Sequence, residues 1–130
     1  MCIFCMIANG EIPSKKLYED DKVLAFLDLS QTTNGHTLVV PKQHFETLID
    51  VDSETLAHMI KVTQQLTKDI MKKTGATGFN LLNNGYEVAG QTVMHAHIHI
   101  IPRYSKEDAI VIDFKENPNK DIDKTYELLK

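Results

Sequence analysis

The chain has no tryptophan, only two cysteines and four prolines, and no apolar run approaching the length of a membrane span. A spanning helix needs about 20 consecutive apolar residues, so none is expected. No charged-then-apolar stretch near the start resembles a secretory leader either. Two cysteines are too few for the disulfide framework of a small secreted domain. Cationic excess is missing as well. The formal charge is −4, which removes the electrostatic basis for gripping a nucleic-acid backbone. The expectation is a cytoplasmic protein with neither a membrane nor a nucleic-acid partner. At 130 residues, 42% of them hydrophobic, the chain suits one domain, 1–130, around one core. No repeat, linker or low-complexity tract interrupts it.

Histidine is what stands out. Three of the six occupy every second position of Met94-His95-Ala96-His97-Ile98-His99-Ile100-Ile101, just before Pro102. Side chains two apart on a β-strand share a face, spaced about 6.6 Å along it. The short, isoleucine-rich run stopped by proline predicts a strand with the three imidazoles in one row and Ala96, Ile98 and Ile100 packed behind. A single histidine is ordinarily a surface or satisfied core residue. Three crowded rings carry a free-energy cost that structure alone does not repay. Imidazole near neutral pH serves as proton carrier, nucleophile or metal ligand. Rigid neighbours on one strand, however, wrap a tetrahedral ion poorly.

Earlier in the chain, Cys2 and Cys5 form a C-x-x-C pair, which in a reducing compartment favours metal binding or redox chemistry. They supply half a zinc site, so further ligands must come from elsewhere. Ile3, Phe4, Met6 and Ile7 suggest a turn of helix, broken by Asn9-Gly10. Segments 16–19 and 22–28 read as strands joined at Asp20-Asp21, with Asp28 near a strand end. Residues 36–40 predict a third strand ending at Pro41, and 42–48 a short helical segment carrying His44. Asp52 or Ser53 caps a long helix whose apolar stripe is Leu56, Met59, Ile60, Thr63, Leu66, Ile70 and Met71, closed at Gly75. His58 falls off that stripe and is expected to be solvated. A strand over 78–82 leads into loop 83–91, where Gly85 and Gly90 allow amides to turn toward an anion. The charged tail ends in a short helix over 121–129.

Taken together, these residues resemble the histidine triad (HIT) family, in its bacterial-type, zinc-containing, Hint-like branch. The resemblance runs from Cys2-Ile3-Phe4-Cys5 and Asn9-Gly10-Glu11-Ile12-Pro13 to Arg103. It is carried chiefly by Gly90-Gln91-Thr92-Val93-Met94-His95-Ala96-His97-Ile98-His99-Ile100-Ile101 and by Gly35-His36-Thr37-Leu38-Val39-Val40-Pro41-Lys42. It implies an α+β, HIT-like fold: an antiparallel sheet of about five strands with one long helix and a short C-terminal helix. It also implies a homodimer in which the sheets join across the two-fold axis and the long helices pack there.

The activity implied is cleavage at the α-phosphorus of purine nucleoside phosphoramidates, through a nucleotidyl-histidine intermediate on His97, releasing AMP or GMP. By the same resemblance the main-chain carbonyl of His95 accepts a hydrogen bond from His97. His99 contacts phosphate oxygens and the leaving group. Thr92 stands where the family commonly has serine, near the leaving atom, and His36 supports the row. Asn83 and Gln91 match phosphate-contacting positions. The loop between them is one residue longer than in close relatives, which leaves Asn84 as an alternative to Asn83. Ile3, Phe4, Ile12, Phe26 and Leu29 match the base pocket, and Asp28 the ribose contact. Cys2, Cys5, His44 and His95 match the ligands of a structural zinc ion, a closed site that leaves no catalytic metal. Three alternatives stay open at this point: a dinucleoside polyphosphate hydrolase, a nucleotide-binding regulator whose hydrolysis is incidental, and a zinc-bearing interaction module.

Overall fold

A computed structural model describes residues 2–130. The elements run α1 (Ile3–Ala8), β1 (Lys16–Glu19), β2 (Val23–Leu27), β3 (Thr37–Pro41), α2 (Ser53–Thr74), β4 (Gly78–Leu82), β5 (Ile98–Arg103) and α3 (Ile122–Leu129), with single 3₁₀ turns at Leu48–Asp50 and Glu87–Ala89. The five strands form one antiparallel sheet in the order β1-β2-β3-β5-β4. This is the α+β architecture expected. Among the described residues no helix is long and apolar enough to cross a membrane.

The two faces of the sheet are covered differently, and this places the site. Val23, Ala25, Val39, Ile98 and Ile100 meet Met59, Val62, Leu66 and Ile70 of α2. Leu24, Phe26, Leu38 and Val40, alternating with them, meet Phe4 and Ile7 of α1. With both faces covered, β2 and β3 read as continuous apolar runs rather than alternating ones. Register pairs Leu38 with His99, so His99 emerges on the α1 face.

The long helix starts at the Asp52 cap, whose side chain accepts from the Thr55 amide, and ends at left-handed Gly75 (φ 77°). Its buried face is rotated from the expected stripe: Val62 and Thr67 are inside, while Ile60 is half exposed. Threonines fit there because the Thr63 and Thr67 hydroxyls donate to the carbonyls four residues earlier, both at 2.7 Å, so no polar atom is stranded. His58 is not simply solvated either. Its Nε2 lies 2.6 Å from Asp20 Oδ2, which also accepts from the Tyr18 hydroxyl at 2.6 Å. That carboxylate ties α2 to the β1–β2 turn.

Residues 42–47 are not helical, and the 3₁₀ turn begins only at Leu48. The Phe45 carbonyl accepts from the Ala96 amide at 2.7 Å and the Glu46 carbonyl from Gln91 Nε2 at 2.7 Å. Main-chain groups pledged to a distant segment cannot close helical turns.

The histidine strand also begins later and ends later than its sequence suggests: β5 starts at Ile98 and continues through Pro102. The Pro102 carbonyl accepts from Thr33 Oγ1 at 2.6 Å, beyond the point where β3 pairing ends at Thr37–Ile100. The missing N–H of proline therefore falls where no strand needs it. Gly35 lets the 31–36 loop pass this corner. Its φ is +100°, and a Cβ there would sit 3.1 Å from the Pro102 ring.

Candidate active site and metal centre

Of the three histidines in the row, only His99 lies on the strand. His95 and His97 belong to the irregular lead-in 91–97, and tertiary hydrogen bonds rather than strand pairing hold them. Gln91, almost fully buried, donates through Nε2 to the carbonyls of Glu46 and Val93 and accepts at Oε1 from the Tyr86 amide. Asn83 Nδ2 donates to the His97 carbonyl at 2.9 Å. Both amide side chains expected to meet phosphate therefore shape the backbone of the lead-in, and neither lines the cavity described below. Of the two glycine amides expected to face an anion, Gly90 N–H is engaged with Glu87 O, while Gly85 N–H finds no acceptor among the described residues; Gln91 N–H bonds Tyr86 O. Asn84 Nδ2 turns back to the Gly90 carbonyl at 3.4 Å. The next two amides, Thr92 and Val93, find no acceptor among the described residues.

The hydrogen-bond partners decide which nitrogen of each ring carries hydrogen. A carbonyl only accepts. His97 Nδ1 lies 2.7 Å from the His95 carbonyl, so Nδ1 holds the hydrogen and Nε2 keeps a lone pair. His95 Nε2 lies 2.7 Å from the Pro41 carbonyl, which frees its Nδ1. The Thr32 amide, a donor, faces His36 Nδ1 at 3.4 Å. His36 Nε2 then donates to His99 Nδ1 at 2.9 Å, leaving the His99 hydrogen on Nε2.

Burial pushes His97, His36 and His95 below the ordinary imidazole value. Burial, with the neighbouring His97 and His36 rings, takes His99 down to about 4. All four rings are neutral at pH 7. Asp28 behaves in the opposite sense. Burial raises its carboxyl, but the hydroxyl and amide of Ser30, with help from the His36 and His99 rings, outweigh it and hold the group below its usual range. An ionised carboxylate thus stands beside neutral imidazoles.

A cavity of about 270 Å³ opens in front of His97 and His99. Phe4, Ile12 and Phe26 form its apolar part, Ile3 and Leu29 lie along it with their side chains largely exposed, and Asp28 and Thr92 supply polar groups. The Phe4 ring meets the His97 ring edge-on at 5.1 Å. Sequence reading missed Ile7, Leu38 and Val93, which also border the cavity. Their signal was ordinary core hydrophobicity, and only packing separates wall from interior.

Behind the row, Cys2, Cys5, His44 and His95 converge, with one donor atom from each within 4.8 Å of the others. Measured edges are Cys2 Sγ–His95 Nδ1 3.3 Å, Cys5 Sγ–His95 Nδ1 3.5 Å, Cys5 Sγ–His44 Nδ1 3.4 Å and His44 Nδ1–His95 Nδ1 3.2 Å. A tetrahedral ion bound by thiolates and imidazoles sets such edges at roughly 3.3–3.8 Å. His95 points the nitrogen left free by its Pro41 bond into the cluster, the usual outer support of a metal-bound histidine. The four side chains could hold a metal ion.

Residues 9–106 match the HIT domain family. Over its full length the chain is 48% identical to an uncharacterized HIT-like protein of Methanocaldococcus jannaschii, covering 99% of that protein. It is 38% identical over 117 residues to the adenosine 5′-monophosphoramidase hnt1 of Schizosaccharomyces pombe, with 90% of this chain and 85% of that one aligned. Among solved structures, a HIT family protein from Bacillus anthracis superposes with a TM-score of 0.91 at 43% identity, covering 98% of this chain and 91% of the other.

Proposed function

The chain belongs to the HIT family, whose members bind or hydrolyse nucleotides, and from that footing we propose that it hydrolyses purine nucleoside phosphoramidates. The observation that carries this reading is the 2.7 Å bond from His97 Nδ1 to the His95 carbonyl. It fixes the tautomer with a lone pair on Nε2, and burial keeps the ring unprotonated. This is the state a histidine nucleophile needs.

In this reading the base lies against Phe4, Ile12 and Phe26, and the ribose hydroxyls donate to the ionised Asp28 carboxylate. The Thr92 and Val93 amides, which find no acceptor among the described residues, meet the α-phosphate oxygens. His97 Nε2 attacks phosphorus and forms a P–N bond while the bond to the leaving amine nitrogen breaks. That nitrogen takes up a proton and departs as the free amine. Water then attacks the nucleotidyl-His97, the P–N bond to the ring breaks, and AMP or GMP is released. The sum is phosphoramidate plus water giving amine plus nucleoside monophosphate. His99, neutral with its hydrogen on Nε2, donates to a phosphate oxygen. His36 acts through His99 by fixing that tautomer.

Two sulfurs and two nitrogens at near-tetrahedral edges suit zinc, which, when bound by Cys2, Cys5, His44 and His95, supplies a closed structural clamp. The chain's own groups do the rest: His95 offers its ring to the cluster and its carbonyl to His97, and the Asn83 amide secures the next carbonyl along. Trapping tests the scheme. Protein denatured at alkaline pH during turnover of adenosine 5′-phosphoramidate should carry one adenylyl group on the peptide containing His97. Turnover with the adduct absent, or on another residue, would sink the mechanism.

A homodimer is part of the same reading. β4 is an edge strand whose Phe79 and Leu81 are about half exposed, an arrangement that favours pairing with a second copy. Leu81→Lys should then reduce the mass in light scattering from two chains to one. A wild-type mass of one chain would overturn this.

A further inference from the structure

The Cys/His cluster is complete in donors yet not sealed from its surroundings. Its four donor atoms fill a tetrahedral shell, but an open chamber of about 720 Å³ is bordered by Cys2, Cys5 and His44. His95, by contrast, is fully buried. The cluster therefore has an inner edge, Cys2 with His95, and an outer edge, Cys5 with the exposed His44. Both cysteines are half-buried. A purely structural clamp does not need sulfur at an open chamber, where accessible thiolates meet oxidants.

The two sulfurs are also placed to join. Cys2 caps α1 and Cys5 follows three residues later, with the Cys5 amide 3.4 Å from Cys2 Sγ. Residues three apart at a helix start have Cα atoms about 5 Å apart. That lies inside the span of roughly 4.4–6.8 Å that a disulfide bridges. Both sulfurs belong to a donor set gathered within 4.8 Å, so side-chain rotation closes the remaining gap. With an ion bound, each is held as thiolate, the nucleophilic form.

Joining the sulfurs takes away two of the four donors. The pair that remains, His44 Nδ1 and His95 Nδ1, is too few to retain zinc in a structural site. The His95 ring would keep its 2.7 Å bond to the Pro41 carbonyl but lose its attachment to the cluster. The carbonyl of that same residue accepts from His97 Nδ1 at 2.7 Å. A change at the sulfurs thus reaches His97 through one residue.

We propose that Cys2 and Cys5 form a peroxide-sensitive modification site: a hydroperoxide oxidises Cys5 first, Cys2 resolves it to a disulfide, and loss of the bound ion loosens the support of His97. This rests on the zinc occupancy proposed above, and its effect on turnover rests on the phosphoramidase reading. The Cys5 thiolate attacks one peroxide oxygen, the O–O bond breaks and hydroxide departs, leaving a sulfenic acid. The Cys2 thiolate attacks that sulfur, the S–O bond breaks and a second hydroxide departs. Two thiolates and one hydrogen peroxide give one disulfide and two hydroxides, with both electrons passing from sulfur to oxygen. A dithiol reductant reverses the bond by exchange.

Zinc-loaded protein treated with hydrogen peroxide in molar excess tests it. About one zinc per chain should pass to a chromogenic chelator. In step with that, the polypeptide mass should fall by two hydrogens and the disulfide should map to Cys2–Cys5. Dimedone present during the reaction should label Cys5 and not Cys2. Turnover should fall by about 10- to 100-fold and return with dithiothreitol and added zinc. It should fall equally when a chelator strips zinc from the reduced protein. Thiols that stay reduced with zinc retained, while free glutathione in the same tube is consumed, would overturn the site. Label on Cys2 would overturn the order assigned to the two sulfurs. A disulfide with turnover unchanged would overturn the link to His97. If no phosphoramidate is cleaved in any state, the phosphoramidase reading fails, whereas zinc release and the disulfide still decide the modification site.

Discussion

Replacing His97 by alanine is expected to lower kcat for adenosine 5′-phosphoramidate by at least about ten-thousand-fold, the scale of losing a nucleophile. AMP should still raise the melting temperature of the variant. The reason is division of labour within the cavity: Phe4, Ile12, Phe26 and Asp28 border the nucleoside part independently of the His97 ring. Removing the 6%-exposed ring leaves a small void, so stability should fall by roughly 1–3 kcal/mol without loss of fold. The pH profile gives a second readout. The reactive form is neutral, and burial lowers the His97 pKa. Activity should therefore persist as pH falls below the usual imidazole value of about 6.5 and decline only at more acidic pH. Residual turnover within tenfold of wild type would remove His97 from the role of nucleophile. Loss of AMP stabilisation together with turnover would show that the ring is needed for the cavity itself.

The second large effect concerns the metal centre. Wild-type protein should carry close to one zinc per chain, and His44→Ala should carry almost none. His44 is exposed, and an exposed side chain that holds nothing costs less than about 0.5 kcal/mol when truncated. As a metal ligand it should cost at least about 3 kcal/mol, because the remaining thiols and buried His95 lose the ion that holds them together. Turnover should drop as well, by about 10- to 100-fold, the usual cost of disturbing the support behind a reactive group. The connection is concrete: the residue whose ring enters the cluster is the residue whose carbonyl orients His97. A His44→Ala protein with unchanged melting temperature and unchanged turnover would make the cluster incidental.

Much of this was legible in the chain. The covered strands β2 and β3, the capped helix from Asp52 to Gly75, and the C-x-x-C pair each rest on local rules, namely apolar periodicity, cap chemistry and ligand spacing. The resemblance to the HIT family, carried by the 35–42 and 90–101 segments, then led to the fold and to the group of side chains that converge. It did not distinguish groups facing the cavity from groups spent on scaffolding. Asn83 and Gln91 carry the same donors either way, and only the structure shows them bonded to the carbonyls of His97, Glu46 and Val93.

Alternation along residues 94–101 predicted a strand bearing all three histidines, and this is where local reasoning stopped short. Period-two spacing sets which face a side chain takes once a strand exists, but pairing needs a partner strand, and β3 pairs with β5 only over Thr37–Val39. Ahead of Ile98 the chain is instead held by Phe45, Glu46 and the Pro41 carbonyl. The sequence alone determined which residue types are present and which side of the sheet each strand residue faces, because those follow from the chain's own spacing. The tertiary structure decided which ring nitrogen of His95, His36 and His99 carries hydrogen and which lead-in amides find no acceptor among the described residues. For His95 and His99 the tautomer depends on hydrogen-bond partners 54 and 63 residues away, Pro41 and His36, and no local rule reaches that far.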